Sequence, residues 1–193
     1  MIFAIDPGNK ITTALKAEID PQRYPSHVVL TDVVPLHVFR DICNAAVLVE
    51  IDRLPCGTVV LIEDIESFGM AVGREVFRTA QWAGRFEERA EANGLPVTYV
   101  KRSDVKTTLC YNRTAKDANI RAALIDVYGG SKELAIGLKA TPGPLYEFAS
   151  HAWSALALVV TWHKMKLDAE RGITQQPVKH EAETAADLLD VAF

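Results

Sequence analysis

Residues 58–63, TVVLIE, decide the fold of this 193-residue chain. A continuous apolar run of this kind is typical of a strand that is buried on both faces. The segment Ile2–Asp6, IFAID, is a second apolar run, and an Asp-Pro-Gly turn follows it. We therefore predict that both segments are strands. Each ends on an acidic residue, Asp6 in one and Glu63 in the other.

The remaining segments alternate between strand-like and helix-like patterns. We predict further strands at residues 11–17, 28–34 and 97–100, and helices at residues 36–54, 71–93, 114–129 and 145–166. A capping box from Thr114 to Asp117 is expected to open the third helix. This order predicts an α/β domain with a five-stranded mixed sheet, whose first three strands are antiparallel. Helices on both faces would leave the strand ends as the natural place for a site.

Composition excludes several classes of protein. Apolar residues make up 49% of the chain and charged residues 24%, as in ordinary soluble domains. No apolar run approaches the ~20 residues of a membrane-spanning helix, so we expect no membrane partner. The N-terminus lacks the basic segment of a secretory signal. The three cysteines form no CxxC pair, which argues against a disulfide framework and favours the cytoplasm.

The net charge of −4 is unevenly distributed. Residues 168–193 contain six acidic and two basic residues, so the deficit lies in this tail and residues 1–167 are neutral overall. We therefore predict one folded domain over residues 1–167, followed by an acidic C-terminal tail over residues 168–193. A neutral body is compatible with a local basic face that binds nucleic acid.

Two carboxylates are candidates for a metal site. If the strands that end at Asp6 and Glu63 are parallel neighbours, both carboxylates reach the same edge of the sheet. Their repulsion would be relieved by a shared proton or by a hard cation such as Mg²⁺. A pair of such ions can assist phosphodiester cleavage. The alternative is that these acids simply mark where the strands meet solvent. Asp64 lies nearby and is an additional candidate ligand.

The predicted last helix supplies further candidates. Glu147, His151 and Ser154 are spaced i, i+4, i+7, so they would share one stripe near its N-terminus. His151 could ligate a metal ion or move a proton, and Glu147 could add a carboxylate. The alternative for His151 is a boundary residue of the core.

Basic residues concentrate in residues 101–121, where six bases face two acids. Threonine, asparagine and tyrosine residues are interleaved with them, which is the mixture expected where phosphates are bound. A basic loop without a partner is the alternative. The bases are Lys101, Arg102, Lys106, Arg113, Lys116 and Arg121. A second, narrower stripe on the helix predicted at 71–93 comprises Arg74, Arg78, Arg85 and Arg89, and would face DNA, a second subunit or solvent.

Four segments in this order resemble the RuvC family of Holliday-junction resolvases, in the RNase H-like superfamily, most of all the phage and prophage versions. FAIDPGNK and VVLIEDIESFGM resemble its first two catalytic motifs. SDVKTTLC with TAKDANIRAALID resembles its lysine segment, and SHAWSALALVVTW resembles its final helix. The resemblance covers about residues 1–165.

The resemblance implies a Mg²⁺-dependent endonuclease that cuts four-way DNA junctions symmetrically as a homodimer. Asp6 and Glu63 would bind two ions per site, for which Mn²⁺ can substitute, and His151 would complete the site. Lys106 and Lys116 would contact the scissile phosphates. Phe68 is a candidate for the aromatic residue that stacks near an opened junction. One departure is Ser154, which stands where the family pattern has an aspartate, so binding at one metal position is expected to be weaker.

Three other functions are compatible with parts of this pattern. The serine favours a branched-DNA-binding protein whose nuclease site is weakened or lost. An RNase H-like nuclease acting on other branched DNA or on RNA would use the same acids. An actin-like or sugar-kinase-like ATPase also begins with a strand and Asp-x-Gly, but it needs a duplicated second half that 193 residues do not accommodate.

Overall fold

A computed structural model of the chain describes residues 1–23, 31–66 and 71–172. Its central feature is a five-stranded sheet in the order β3-β2-β1-β4-β5. The first three strands pair antiparallel, whereas β4 runs parallel to both β1 and β5. The five strands are Ile2–Asp6 (β1), Ile11–Ile19 (β2), Val33–Cys43 (β3), Val59–Asp64 (β4) and Val97–Lys101 (β5). The predicted α/β class, the mixed sheet and its antiparallel meander are confirmed.

Helices cover both faces of this sheet. They are Asn44–Asp52 (α1), Arg74–Ala92 (α2), Arg102–Cys110 (α3), Asp117–Gly129 (α4), Lys132–Ala135 (α5) and Ala152–Glu170 (α6). A small hairpin, Gly137–Leu138 (β6) with Thr141–Pro142 (β7), precedes α6. None of the helices within the described ranges combines the length and apolarity needed to cross a membrane.

Two hydrophobic cores lie on opposite sides of the sheet because successive strand side chains alternate between its faces. In β1, Ala4 packs with the α3, α4 and α6 side, whereas Phe3 and Ile5 pack with the α1 and α2 side. The middle of α6 is buried on nearly every side, as the sequence predicts, and it packs directly on β1.

The region after residue 31 differs from the prediction. Residues 36–43 belong to β3 rather than to a helix, and α1 occupies only Asn44–Asp52. The helical assignment rested partly on Val38 and Ile42, but a separation of four residues also fits the alternation of a strand. Pairing with β2 decides between them, and Pro35 is tolerated because β3 is an edge strand. Of the predicted strand at 28–34, residues 28–30 lie outside the described residues, and Val33 and Val34 are the first two residues of β3.

The basic segment is also organised differently from the prediction. Residues 102–110 form the unpredicted helix α3, which ends where Tyr111 adopts a left-handed conformation with φ 52°. The capping box from Thr114 to Asp117 is wrong, since the Thr114 amide donates to Asn112 Oδ1 instead. Helix α4 starts at Asp117, one residue after Lys116.

The last helix begins later than predicted, at Ala152 rather than near residue 145. Ser150 has φ 46°, a left-handed backbone conformation that interrupts any helix running through it. Glu147 therefore precedes α6, and the predicted stripe of Glu147, His151 and Ser154 on one helix is wrong. At its other end α6 continues to Glu170, past the boundary predicted at residue 167, and the remaining tail from 173 lies outside the described residues.

Candidate active site

Asp6 and Glu63 stand at the carboxyl ends of neighbouring parallel strands. Ile5 of β1 and Ile62 of β4 are partners in the sheet register, and both pack on the α1 and α2 side. Because side chains alternate along a strand, the next residues, Asp6 and Glu63, point to the opposite side, where α6 lies. The structure therefore brings these two predicted carboxylates to one edge and one face of the sheet.

The environment of Glu63 opposes its ionisation. Only 13% of its side chain is exposed, and burial raises the pKa of this carboxyl to about 8, with the negative charge of Asp6 as the next contribution. The guanidinium of Arg102 acts in the other direction. The pair therefore holds a proton below about pH 8, and a bound cation would take the place of this proton in relieving the repulsion between the two carboxylates.

Arg102 is the counter-charge that the chain itself provides. It is the first residue of α3, directly after β5, and its Nη1 atom lies 3.3 Å from Glu63 Oε1. Its other terminal nitrogen, Nη2, pairs with Asp117 Oδ1 at the start of α4. The sequence assigned Arg102 to a DNA-binding segment, and nothing in the sequence indicated that it would contact Glu63.

His151 joins the same cluster from the α6 side. It occupies the N-cap position of α6, and its Nδ1 atom lies 3.0 Å from Asp6 Oδ2. The left-handed turn at Ser150 positions this imidazole over the strand end, while 64% of its side chain remains exposed. The predicted proximity of His151 to the carboxylates is thus present, although it arises from a helix cap rather than from a helical stripe.

Two additional candidates lie elsewhere. By strand alternation Asp64 points to the face opposite Glu63, on the side of α2. Glu147 is exposed in the loop before α6, where its carbonyl oxygen accepts a hydrogen bond of 3.5 Å from Arg40. Neither is brought into the cluster of Asp6 and Glu63.

The side chains at this strand edge offer oxygen donors of the kind that a hard cation prefers. Within the described ranges, no three His, Cys, Asp or Glu side chains converge closely enough to hold a metal ion by themselves. Mg²⁺, however, is commonly bound by one or two carboxylates together with substrate phosphates and water. Asp6 and Glu63 fit this mode, because they supply two oxygen donors at a strand edge where one carboxyl is desolvated.

A buried polar network holds the turn that follows Asp6. Asn44 Nδ2 donates to the Gly8 carbonyl at 2.9 Å, and Thr12 Oγ1 donates to Asn44 Oδ1 at 2.9 Å. The Gly8 amide in turn donates to Thr12 Oγ1 at 3.2 Å. Both side chains are almost fully buried. Sequence reasoning missed Asn44, because a lone asparagine within the helix predicted at 36–54 carries no signal of a distant partner.

A cavity of about 650 Å³ adjoins the cluster, between α4 and the start of α6. Its lining includes Ser154 as well as Arg102 and His151, which contact Glu63 and Asp6 respectively. Further along, the Arg121 guanidinium lies 4.9 Å from the centre of the Trp153 indole ring, a cation–π geometry. Ser154 thus faces the same space as His151, but it adds a hydroxyl where a carboxylate would add charge.

In the structure, some bases of the predicted segment 101–121 are held in ion pairs and others are not. Lys101 points to the α2 side and pairs with Glu66 at 3.3 Å, and Arg102 is held by its two carboxylate partners. Lys116 and Arg113 are exposed and Lys106 is half-buried, and no ion pair involves these three within the described part of the chain. Together with Arg121, which contacts the Trp153 ring, they are the bases of this segment that remain available to phosphates.

The arginine stripe of α2 is also divided. Arg89 pairs with Asp52 of α1 at 2.9 Å, and both side chains remain partly exposed. Arg85 lies 4.1 Å from the centre of the Trp82 ring, while Arg74 and Arg78 are exposed. The predicted stacking residue Phe68 lies outside the described residues.

Comparison with known proteins identifies the fold. No protein-family model matches the chain, and no curated protein matches it. The solved structure of Thermus thermophilus RuvC is similar, with a TM-score of 0.56, 20% sequence identity, and coverage of 89% of this chain and 96% of that chain. The same protein in complex with a Holliday junction substrate gives a TM-score of 0.55 and 19% identity over 89% and 96% of the two chains. The chain therefore has the RuvC-like resolvase fold.

Proposed function

We propose that this protein is a metal-dependent, structure-selective DNA endonuclease that hydrolyses phosphodiester bonds at four-way junctions. The observation that carries the proposal is the pair of Asp6 and Glu63, which the parallel pairing of β1 and β4 brings to one strand edge in a RuvC-like fold. The desolvated state of Glu63 supports a cation as the partner that completes the pair.

Asp6 and Glu63 would hold one or two Mg²⁺ ions, with His151 as a further ligand and Mn²⁺ as a substitute. Metal ions bound there would activate water and stabilise the charge on the phosphate. His151, 3.0 Å from Asp6, is placed to orient that carboxylate and to accept or deliver a proton through its exposed ring. Arg102, the first residue of α3, provides the positive charge that pairs with the Glu63 carboxyl.

The DNA backbone would lie along the α3 and α4 side of the cluster. Lys106 and Lys116, which lack ion-pair partners in the described part of the chain, are proposed to hold the phosphates flanking the cut. Arg113 and Arg121 extend this surface, and Lys101 would join it only if it left Glu66. Such contacts predict binding that weakens steeply as the salt concentration rises.

A homodimer is part of the proposal, because two symmetric cuts across a four-way junction suit a twofold enzyme. Each protomer would then present one carboxylate pair to one strand. Analytical ultracentrifugation of the protein, alone and with a junction, measures this directly.

The test is cleavage of a synthetic four-way junction in the presence of Mg²⁺. Asp6→Asn and Glu63→Gln are expected to lose at least about a hundredfold in rate, since removing one charged donor from such a site removes transition-state stabilisation. Glu88→Gln, an exposed site on α2, serves as the matched control and should cleave normally. Undiminished cleavage by both site variants would refute the assignment of Asp6 and Glu63 to the nuclease site. Flap and RNA–DNA substrates in the same assay separate a resolvase from an RNase H-like nuclease of other specificity.

A second candidate function is a branched-DNA-binding protein without nuclease activity. It is favoured by the absence, within the described residues, of a third acidic ligand beside Asp6 and Glu63, and by Ser154 in the adjoining cavity. Calorimetry with Mn²⁺ discriminates between the two. Tight junction binding without Mn²⁺ binding that depends on Asp6 would favour the non-catalytic protein.

A further inference from the structure

Arg102 pairs with the Glu63 carboxyl, which is one of the two ligands that the proposed metal ion would need. Its Nη1 atom lies 3.3 Å from Glu63 Oε1, and 21% of the arginine side chain is exposed. A guanidinium in this place both uses a lone pair of the carboxylate and adds a positive charge next to it. A divalent cation that binds Glu63 would therefore compete with the Arg102 guanidinium for the same carboxyl group.

The second partner of Arg102 differs from the first in its environment. Asp117 pairs with Nη2, and 84% of its side chain is exposed, compared with 13% for Glu63. Asp117 lies in the first turn of α4, so its position is fixed by a helix that does not depend on the carboxylate pair. The guanidinium can thus leave Glu63 and still keep one charged partner.

We propose that Arg102 is a positioning residue that sets the metal affinity of the site: it balances Glu63 in the metal-free protein and withdraws to Asp117 when a divalent cation binds. This inference rests on the proposed function, since it assumes a cation at Asp6 and Glu63. Asp117 acts as the anchor that makes the withdrawal favourable.

The proposal predicts opposite effects for two single substitutions. Arg102→Gln removes the competing charge, so Mn²⁺ should bind about tenfold more tightly, in the range typical of changes to residues that surround metal ligands. Asp117→Asn removes the anchor and leaves Arg102 more firmly on Glu63, so Mn²⁺ should bind several-fold more weakly. In the Arg102→Gln background, Asp117→Asn should have no further effect, because the residue through which it acts is gone.

The experiment is isothermal titration of the full chain with Mn²⁺, without DNA, at one fixed pH and ionic strength. Arg53→Gln is the matched control, since Arg53 also pairs with a glutamate, Glu50 at 2.8 Å, but on α1. It should leave Mn²⁺ affinity unchanged and thereby exclude an effect of net charge alone. Circular dichroism and thermal unfolding of each variant confirm that it is folded. Arg102→Lys keeps the positive charge beside Glu63, so it should bind Mn²⁺ about as the unaltered protein does and not more tightly.

Three results would overturn the inference. The first is equal or weaker Mn²⁺ binding by folded Arg102→Gln, which would make the arginine a support for the site. The second is an effect of Asp117→Asn that is the same in both backgrounds, which would mean that Asp117 acts on the metal ion directly. The third is the absence of Mn²⁺ binding by the unaltered protein without DNA, because the inference assumes that Asp6 and Glu63 hold the cation before the junction binds. Junction cleavage with Mg²⁺ then decides the proposed function separately. If the unaltered protein binds Mn²⁺ and cuts junctions while Arg102→Gln binds Mn²⁺ as it does, only the inference fails.

Discussion

Replacing Glu63 by glutamine should remove a pH dependence of stability that the carboxylate pair creates. In the folded, metal-free protein the pKa of Glu63 is raised from 4.5 to about 8, chiefly because the carboxyl is desolvated and secondly because Asp6 is close. Between these two values the folded state holds a proton that the unfolded state has released. The free energy of unfolding therefore falls as the pH rises through this interval and levels off above it.

The size of this effect follows from the width of the interval. Each unit of pKa difference corresponds to about 1.4 kcal/mol, so the whole interval is worth up to about 5 kcal/mol. Glutamine has nearly the shape of the protonated acid and cannot ionise. Glu63→Gln should thus match the unaltered protein near the acidic end of the interval and become progressively more stable than it towards the alkaline end.

Urea unfolding at a series of pH values from about 5 to about 8, with a chelator present, measures the difference. Glu88→Gln, at an exposed site, should follow the unaltered protein at every pH. A constant difference in unfolding free energy between Glu63→Gln and the unaltered protein across this range would refute the reasoning. Added Mg²⁺ should reduce the difference in unfolding free energy between Glu63→Gln and the unaltered protein at about pH 8. The reason is that a ligand that binds only the folded state stabilises it, and the unaltered protein keeps both carboxylates that would bind the ion.

Three further predictions concern the framework that holds the site. Tyr128→Phe removes the buried hydroxyl that donates to the Val33 carbonyl at 2.9 Å, and should lower the free energy of unfolding by about 1–3 kcal/mol in a urea titration. Asn44→Ala removes both hydrogen bonds that hold the turn after the first strand, and should lower the free energy of unfolding by about 1–3 kcal/mol in the same measurement and also slow junction cleavage. Gly8→Ala places a methyl group 2.0 Å from a backbone oxygen and should lower the melting temperature, whereas Gly84→Ala, in open space on a helix, should raise it slightly.

The fold was predictable wherever one local pattern admitted one structure. The runs at Ile2–Asp6 and 58–63 are too short and too apolar for surface helices, and they became adjacent parallel strands. The segment after residue 31 was not predictable in this way, since spacings of four residues satisfy both helix and strand periodicity. Only the hydrogen bonds from β2 settled it. Helix α3 was missed because its charged residues mask the few apolar positions, Val105 and Leu109, that pack against the core.

The candidate site also has a part that the sequence predicts and a part that only the structure shows. Residue type and place in a strand were enough to single out Asp6 and Glu63, because a carboxylate at the end of a buried apolar strand is visible in one dimension. The pairing of Arg102 with Glu63, and the bonds of Asn44 to Gly8 and Thr12, join residues 32 to 39 positions apart. No local pattern records such contacts.

The sequence by itself determined the class of the fold, the two carboxylates and the basic segment, because these depend on hydrophobic periodicity and on the chemistry of single residues. The tertiary structure alone decided how those charges are balanced. A left-handed turn at Ser150 brings His151 within hydrogen-bond distance of Asp6, and Asp64 lies on the other face of the sheet. Arg102 lies between Glu63 and Asp117 and pairs with both. The physical reason is that electrostatic interaction depends on distance and burial, which are fixed only when strands and helices pack.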